Sequence, residues 1–94
     1  MNEQTREILT ILQEECAEVI QATAKCFRFG PDQVHLKSPD GKTQIQNLEM
    51  EIGDLQAMID LLVLENVGVS KSGISKARDK KLEKLKQWSS IKIK

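Results

Sequence analysis

The sequence predicts an all-α fold, an antiparallel helical bundle of about three main helices per chain. Three observations carry that reading. Ile45, Leu48, Ile52, Leu55, Met58, Ile59, Leu62 and Val63 fall within an arc roughly 140° wide when plotted at about 100° per residue, which is the stripe of a core-facing helix. Aromatic residues are few, with two Phe, one Trp and no Tyr, and alternating β-branched runs are scarce, so little in the chain favours a sheet. Met50, Ala57, Leu61 and Leu64 add a second apolar strip to the same helix. A helix apolar on most of its circumference is buried on most of it, and a chain of 94 residues forms one small domain, 1–94, with limited cover to offer. The bundle is therefore expected to be completed by oligomerisation.

The first helix is expected over about 2–29, opened by Asn2 as N-cap and stopped by Gly30-Pro31. Its apolar arc holds Ile8, Leu12, Val19, Cys26 and their neighbours, with Glu15 inside the arc and Glu18 just beyond its edge. Residues 30–43 contain both prolines and the turn Pro39-Asp40-Gly41, and form a loop long enough to serve as a flap. Thr43 and Gln46 have the spacing of a capping box that opens the central helix, about 44–66. The third helix, about 72–88, takes Ser70 or Ser72 as its cap. It turns Ile74, Ala77, Leu82, Leu85 and Trp88 inward, with Arg78 and Lys81 among them and Trp88 expected as a core plug.

The formal net charge of zero conceals a polarity. Residues 1–70 carry 5 basic and 12 acidic side chains, whereas residues 71–94 carry 9 basic and 2 acidic, so the two parts are expected to meet across a site. Cys16 and Cys26 lie about 15 Å apart along one helix, too far for a disulfide, and are expected as reduced core residues. The opening residues show no basic segment followed by an apolar one, and no apolar run is long enough to span a bilayer. A cytoplasmic protein without a membrane partner is expected.

The pattern that carries chemistry is an echo between helices. Glu15 and Glu18 stand one turn apart on the first, Glu51 and Asp54 one turn apart on the second, and each pair has one member embedded in its apolar arc. Antiparallel packing through the two stripes would gather all four carboxylates in a partly desolvated cleft, where they repel unless cations are present. Oxygen ligands without His or Cys favour Mg²⁺, or Mn²⁺, over zinc. Mg²⁺ shares its sphere readily with phosphate oxygens, which makes a phosphate ester or anhydride the natural substrate. Arg78 and Lys81 either bridge to the acidic helices or bind a polyphosphate. Lys25 and Arg28 are weaker candidates for the same task. His35, alone in a polar loop, and Cys16, without a neighbouring base, are given no catalytic role.

These residues resemble a known family. Glu14-Glu15-Cys16-Ala17-Glu18 fits the EExxE pattern, and Glu51-Ile52-Gly53-Asp54 the following ExxD pattern, of the all-α nucleoside triphosphate pyrophosphatases often called MazG-like. The likeness to small phage-type members extends to Arg28-Phe29-Gly30-Pro31, to Asn47 through Leu55 and to Lys81 through Trp88. The resemblance implies Mg²⁺-dependent hydrolysis of a nucleoside triphosphate between its α and β phosphates, giving the monophosphate and pyrophosphate. Carried over by position, Glu15, Glu18, Glu51 and Asp54 would be the catalytic metal ligands, in a homodimer or homotetramer with sites between subunits. The stretch between the motifs, residues 19–50, is longer than is usual in the family, and the basic motif of larger members is not reproduced. Arg78 and Lys81 are thus assigned as phosphate-binding by helix face alone.

The rival reading is a non-enzymatic helical oligomer that binds nucleic acid through its basic third helix. It accounts for the charge of residues 71–94 but leaves the embedded Glu15 and Glu51 without a reason. The basic stretch also lacks interleaved aromatic residues, so nucleic acid is not the expected partner.

Overall fold

A computed structural model describes residues 1–34 and 38–94; His35 lies outside the described residues. The fold is all-helical, with α1 over Glu3–Phe29, α2 over Gln44–Leu64 and α3 over Lys71–Trp88. Each start is fixed by a side chain that accepts an otherwise unpaired backbone N–H. Asn2 Oδ1 accepts from Thr5 N at 2.7 Å, and Ser70 Oγ from Gly73 N at 3.0 Å. Thr43 Oγ1 accepts from Gln46 N while Gln46 Oε1 accepts from Thr43 N, the reciprocal pair expected from their spacing. α1 ends where Gly30 takes φ +93°, donating its N–H to Cys26 O. α2 stops two residues short of the expected boundary because Asn66 adopts a left-handed φ of 58°, a conformation Asn tolerates better than most residues.

α1 and α2 pack as an antiparallel hairpin tied at both ends. At the open end, Thr5 Oγ1 and Gln4 Nε2 donate to the two carboxylate oxygens of Glu65, at 2.7 and 2.9 Å. At the connected end, the chain after α1 folds back on the start of α2. Ile45 N donates to Pro31 O, Gln44 N donates to Gln33 O, and Val34 forms an antiparallel bridge with Thr43. The tip of this loop turns on Asp40, which accepts from Ser38 Oγ and Lys42 N. These two bonds hold its carboxyl below the usual carboxylate range.

The hairpin buries Ile8, Ala22 and Leu62, together with the polar side chains of Thr5 and Gln44. α3 contributes no buried residue and leans only lightly on the pair. The chain is consequently a flat slab, 43 × 38 × 16 Å, with a radius of gyration of 16.2 Å, against about 12–13 Å for a compact domain of this length.

Several core assignments change for that reason. Trp88, expected to be a plug, is 82% exposed, and Phe27 on the inner arc of α1 is 88% exposed. Ile45 and Ile52 also keep a good part of their surface, as one neighbouring helix covers only part of the α2 stripe. Cys16 is exposed, not core, and Cys26 is half-buried; both are free thiols. The second strip of α2 is open, with Met50, Leu61 and Leu64 all exposed. Among the described residues, no helix is long and apolar enough to cross a membrane.

Candidate metal and phosphate site

The register of the hairpin sets the site. With Thr5 held opposite Glu65, Glu15 and Glu18 on α1 fall opposite Asp54 and Glu51 on α2, about midway along the pair. Oxygen atoms of Glu15, Glu51 and Asp54 lie within 4.8 Å of one another. Glu18 joins them as the fourth carboxylate, close enough to Glu51 to share a hydrogen bond when one of the two is protonated. The helix echo read in the sequence is therefore a cluster in space.

Its electrostatics are one-sided. Burial raises the Glu15 carboxyl above the usual carboxylate range, and the charges of Asp54, Glu18 and Glu14 push it in the same direction. Glu51 is raised by burial first, then by Glu18, Asp54 and Glu15, and by the hydrogen bond with Glu18. Among the described residues, every charge acting on these two groups is negative. Glu15 Oε2 and Glu51 Oε2 are enclosed and have no hydrogen-bond partner among the described residues. Acceptor-only oxygens in that position call for a proton or a cation.

The donor set fits a small divalent cation. Two ligands on opposite sides of one Mg²⁺ at its usual bond length stand about 4.2 Å apart, so side chains already within 4.8 Å need only a small inward adjustment. Carboxylates from two rigid helices supply hard oxygens from opposing sides, and the exposure of Asp54 leaves an edge of the cluster open to water or substrate.

The cationic candidates are elsewhere. Arg78 donates to its neighbour Asp79 at 3.0 Å and lines a cleft between α2 and α3 with Gln56, Ile59, Asp60 and Ile74. Lys81 is exposed on α3. Neither is among the charges that act on Glu15 or Glu51. Arg28, at the end of α1, lies over the ring of Phe29 with its guanidinium carbon 5.3 Å from the centroid. Among the described residues of one chain the site is thus an anionic cluster without its expected cations.

Glu65 has a part that sequence reasoning missed. A carboxylate beside a helix C-terminus opposes the helix dipole, and that misplacement is the one signal that could have drawn attention to it. Its two hydrogen bonds to the start of α1 lock the register on which the cluster depends.

Compared with known protein families, with characterised proteins and with solved structures, the chain finds no match.

Proposed function

We propose that this protein is a Mg²⁺-dependent nucleoside triphosphate pyrophosphohydrolase that cleaves between the α and β phosphates, releasing a nucleoside monophosphate and pyrophosphate. The observation that carries this reading is the convergence of Glu15, Glu18, Glu51 and Asp54 from two antiparallel helices, with two enclosed oxygens that have no partner among the described residues. The EExxE and ExxD patterns occupied by the same residues point to the same chemistry.

Glu15, Glu51 and Asp54 would hold the cation, with Glu18 beside Glu51 as a fourth carboxylate. A bound Mg²⁺ supplies Lewis-acid polarisation of phosphoryl oxygens and lowers the pKa of its water. A carboxylate of the cluster accepts the proton of the attacking water as its oxygen bonds to the α-phosphorus and the bond to the leaving pyrophosphate breaks. Arg78 and Lys81 neutralise the β and γ phosphates. As both lie away from the cluster within one chain, this role requires a second copy that brings its own α3 to the site. The exposed Met50, Leu61 and Leu64 on α2 and Phe27 on α1 provide apolar surface for such an assembly, a homodimer or homotetramer.

The test is pyrophosphate release from a panel of ribo- and deoxyribonucleoside triphosphates with Mg²⁺, run beside Glu51→Gln. Turnover by the wild-type chain that falls by roughly a thousand-fold or more in the variant supports the reading. A folded wild-type chain that releases no pyrophosphate from any member of the panel, with Mg²⁺ or Mn²⁺, overturns it.

A further inference from the structure

The side of the hairpin that carries the carboxylates also carries two lysines, both displaced toward the connected end. Lys25 follows Glu18 by seven residues, which returns it to the same side of α1 about 10 Å further along. On α2, Met50 precedes Asp54 by four residues and shares its side, about 6 Å back. Lys42 Nζ rests 3.6 Å from the sulfur of that Met50. Since the helices run antiparallel, onward along α1 and back along α2 are one direction. Neither ammonium has a strong partner among the described residues. Lys25 is exposed and forms no ion pair. Lys42 meets only a thioether, a weak acceptor, and the exposed carboxylate of Asp40 at 3.7 Å, a pairing worth little in water. Its base is fixed nonetheless, because Lys42 N donates to Asp40 Oδ1 at 3.1 Å and the next residue, Thr43, is the N-cap of α2.

Cations placed to neutralise the cluster itself would pair with its carboxylates, and neither lysine does so. They stand off from it along the groove, which suits an extended anion that begins at the cluster. A chain of phosphates that shares one phosphate with a cation at Glu15, Glu51 and Asp54 carries its remaining negative charge to one side or the other. Toward the connected end it meets Lys25 and Lys42. Toward the open end, α1 places Glu7 and Glu14 on that side, and the Glu14 charge already acts on Glu15. Repulsion there and attraction at the lysines select the direction. We infer that Lys25 and Lys42 receive the β and γ phosphates of the nucleotide from the same copy that holds the cation, so that the phosphate chain runs from the carboxylate cluster toward the connected end of the hairpin. This rests on the pyrophosphohydrolase reading and adds a phosphate site within one chain, to which Arg78 and Lys81 of a second copy contribute from outside.

The probe is inorganic tripolyphosphate, which presents the phosphate chain without a base, titrated calorimetrically into the full chain with Mg²⁺ present. The wild type is expected to bind it, and K25M/K42M to bind it more than about ten-fold more weakly, because charge-assisted contacts to phosphate oxygens are lost. Mn²⁺ binding in the absence of phosphate, followed by the free-ion electron paramagnetic resonance signal, is not weakened in K25M/K42M, which places the loss at the phosphates and not at the cation. K80M/K84M removes two exposed lysines of α3 and leaves tripolyphosphate affinity unchanged, so net charge alone does not account for the effect. The inference is overturned by equal tripolyphosphate affinity in the wild type and K25M/K42M, by an equal loss in K80M/K84M, or by a wild-type chain that does not bind tripolyphosphate. If the wild type releases pyrophosphate from nucleotides while K25M/K42M keeps full tripolyphosphate affinity, this inference fails alone. If the wild type releases none, the pyrophosphohydrolase reading fails and takes the inference with it.

Discussion

Glu15 and Glu51 each hold an enclosed oxygen without a partner among the described residues, and both carboxyls sit above their ordinary range because burial and like charge disfavour ionisation. The folded, metal-free chain therefore binds protons that the unfolded chain has already lost. Stability then falls as pH rises through the window between the ordinary carboxylate value and the raised one, and the penalty is complete above it. Melting of the metal-free protein should accordingly show a higher Tm near pH 5 than near pH 8, a difference that shrinks in the double variant Glu15→Gln/Glu51→Gln. Asp40 acts in the opposite sense at a different pH. Its carboxyl is held low by Ser38 and Lys42, so its contribution is lost only as pH falls below the ordinary Asp range. Glu65 is tested by Glu65→Ala, which removes the acceptor of two hydrogen bonds and leaves the buried Thr5 hydroxyl unpaired. The expected loss is about 1–3 kcal/mol by denaturant unfolding, together with weaker divalent-cation binding as the register loosens.

At the scale of the element, caps and turns decide where helices begin and end, and they are local enough to be read from sequence. Asn2, Thr43 with Gln46, Ser70 and Gly30 all act where their residue types predict. Thr43→Ala should cost about 1 kcal/mol. Gly30→Ala should cost about 1–3 kcal/mol, since φ is +93° and an added Cβ would stand 3.3 Å from Gln33 Cγ. The convergence of the two carboxylate pairs was legible for the same kind of reason, as helical period fixes which residues share a face. Trp88, Phe27 and Cys16 were not, because period identifies an apolar face without saying what covers it. α3 has such a face and little neighbouring helix in the same chain, so its inward residues remain partly or wholly open. Arg78 and Lys81 failed to reach the cluster on the same grounds.

The whole molecule is a slab 16 Å thick whose apolar strips are open and whose basic helix leans only lightly on its acidic hairpin. A second copy laid on α2 would cover Met50, Leu61 and Leu64. Leu61→Lys should then convert the assembly to monomers in light scattering, and lower pyrophosphate release if α3 acts in trans; a wild-type chain that is monomeric at micromolar concentration would contradict that arrangement. All of this rests on the carboxylate cluster being a cation site. The direct measurement is a Mn²⁺ titration of the wild-type chain and of Glu15→Gln, following the loss of the free-ion electron paramagnetic resonance signal. Binding by the wild type that weakens by at least roughly ten-fold in the variant is the predicted result. Equal binding by both chains, or none by the wild type, would contradict the account.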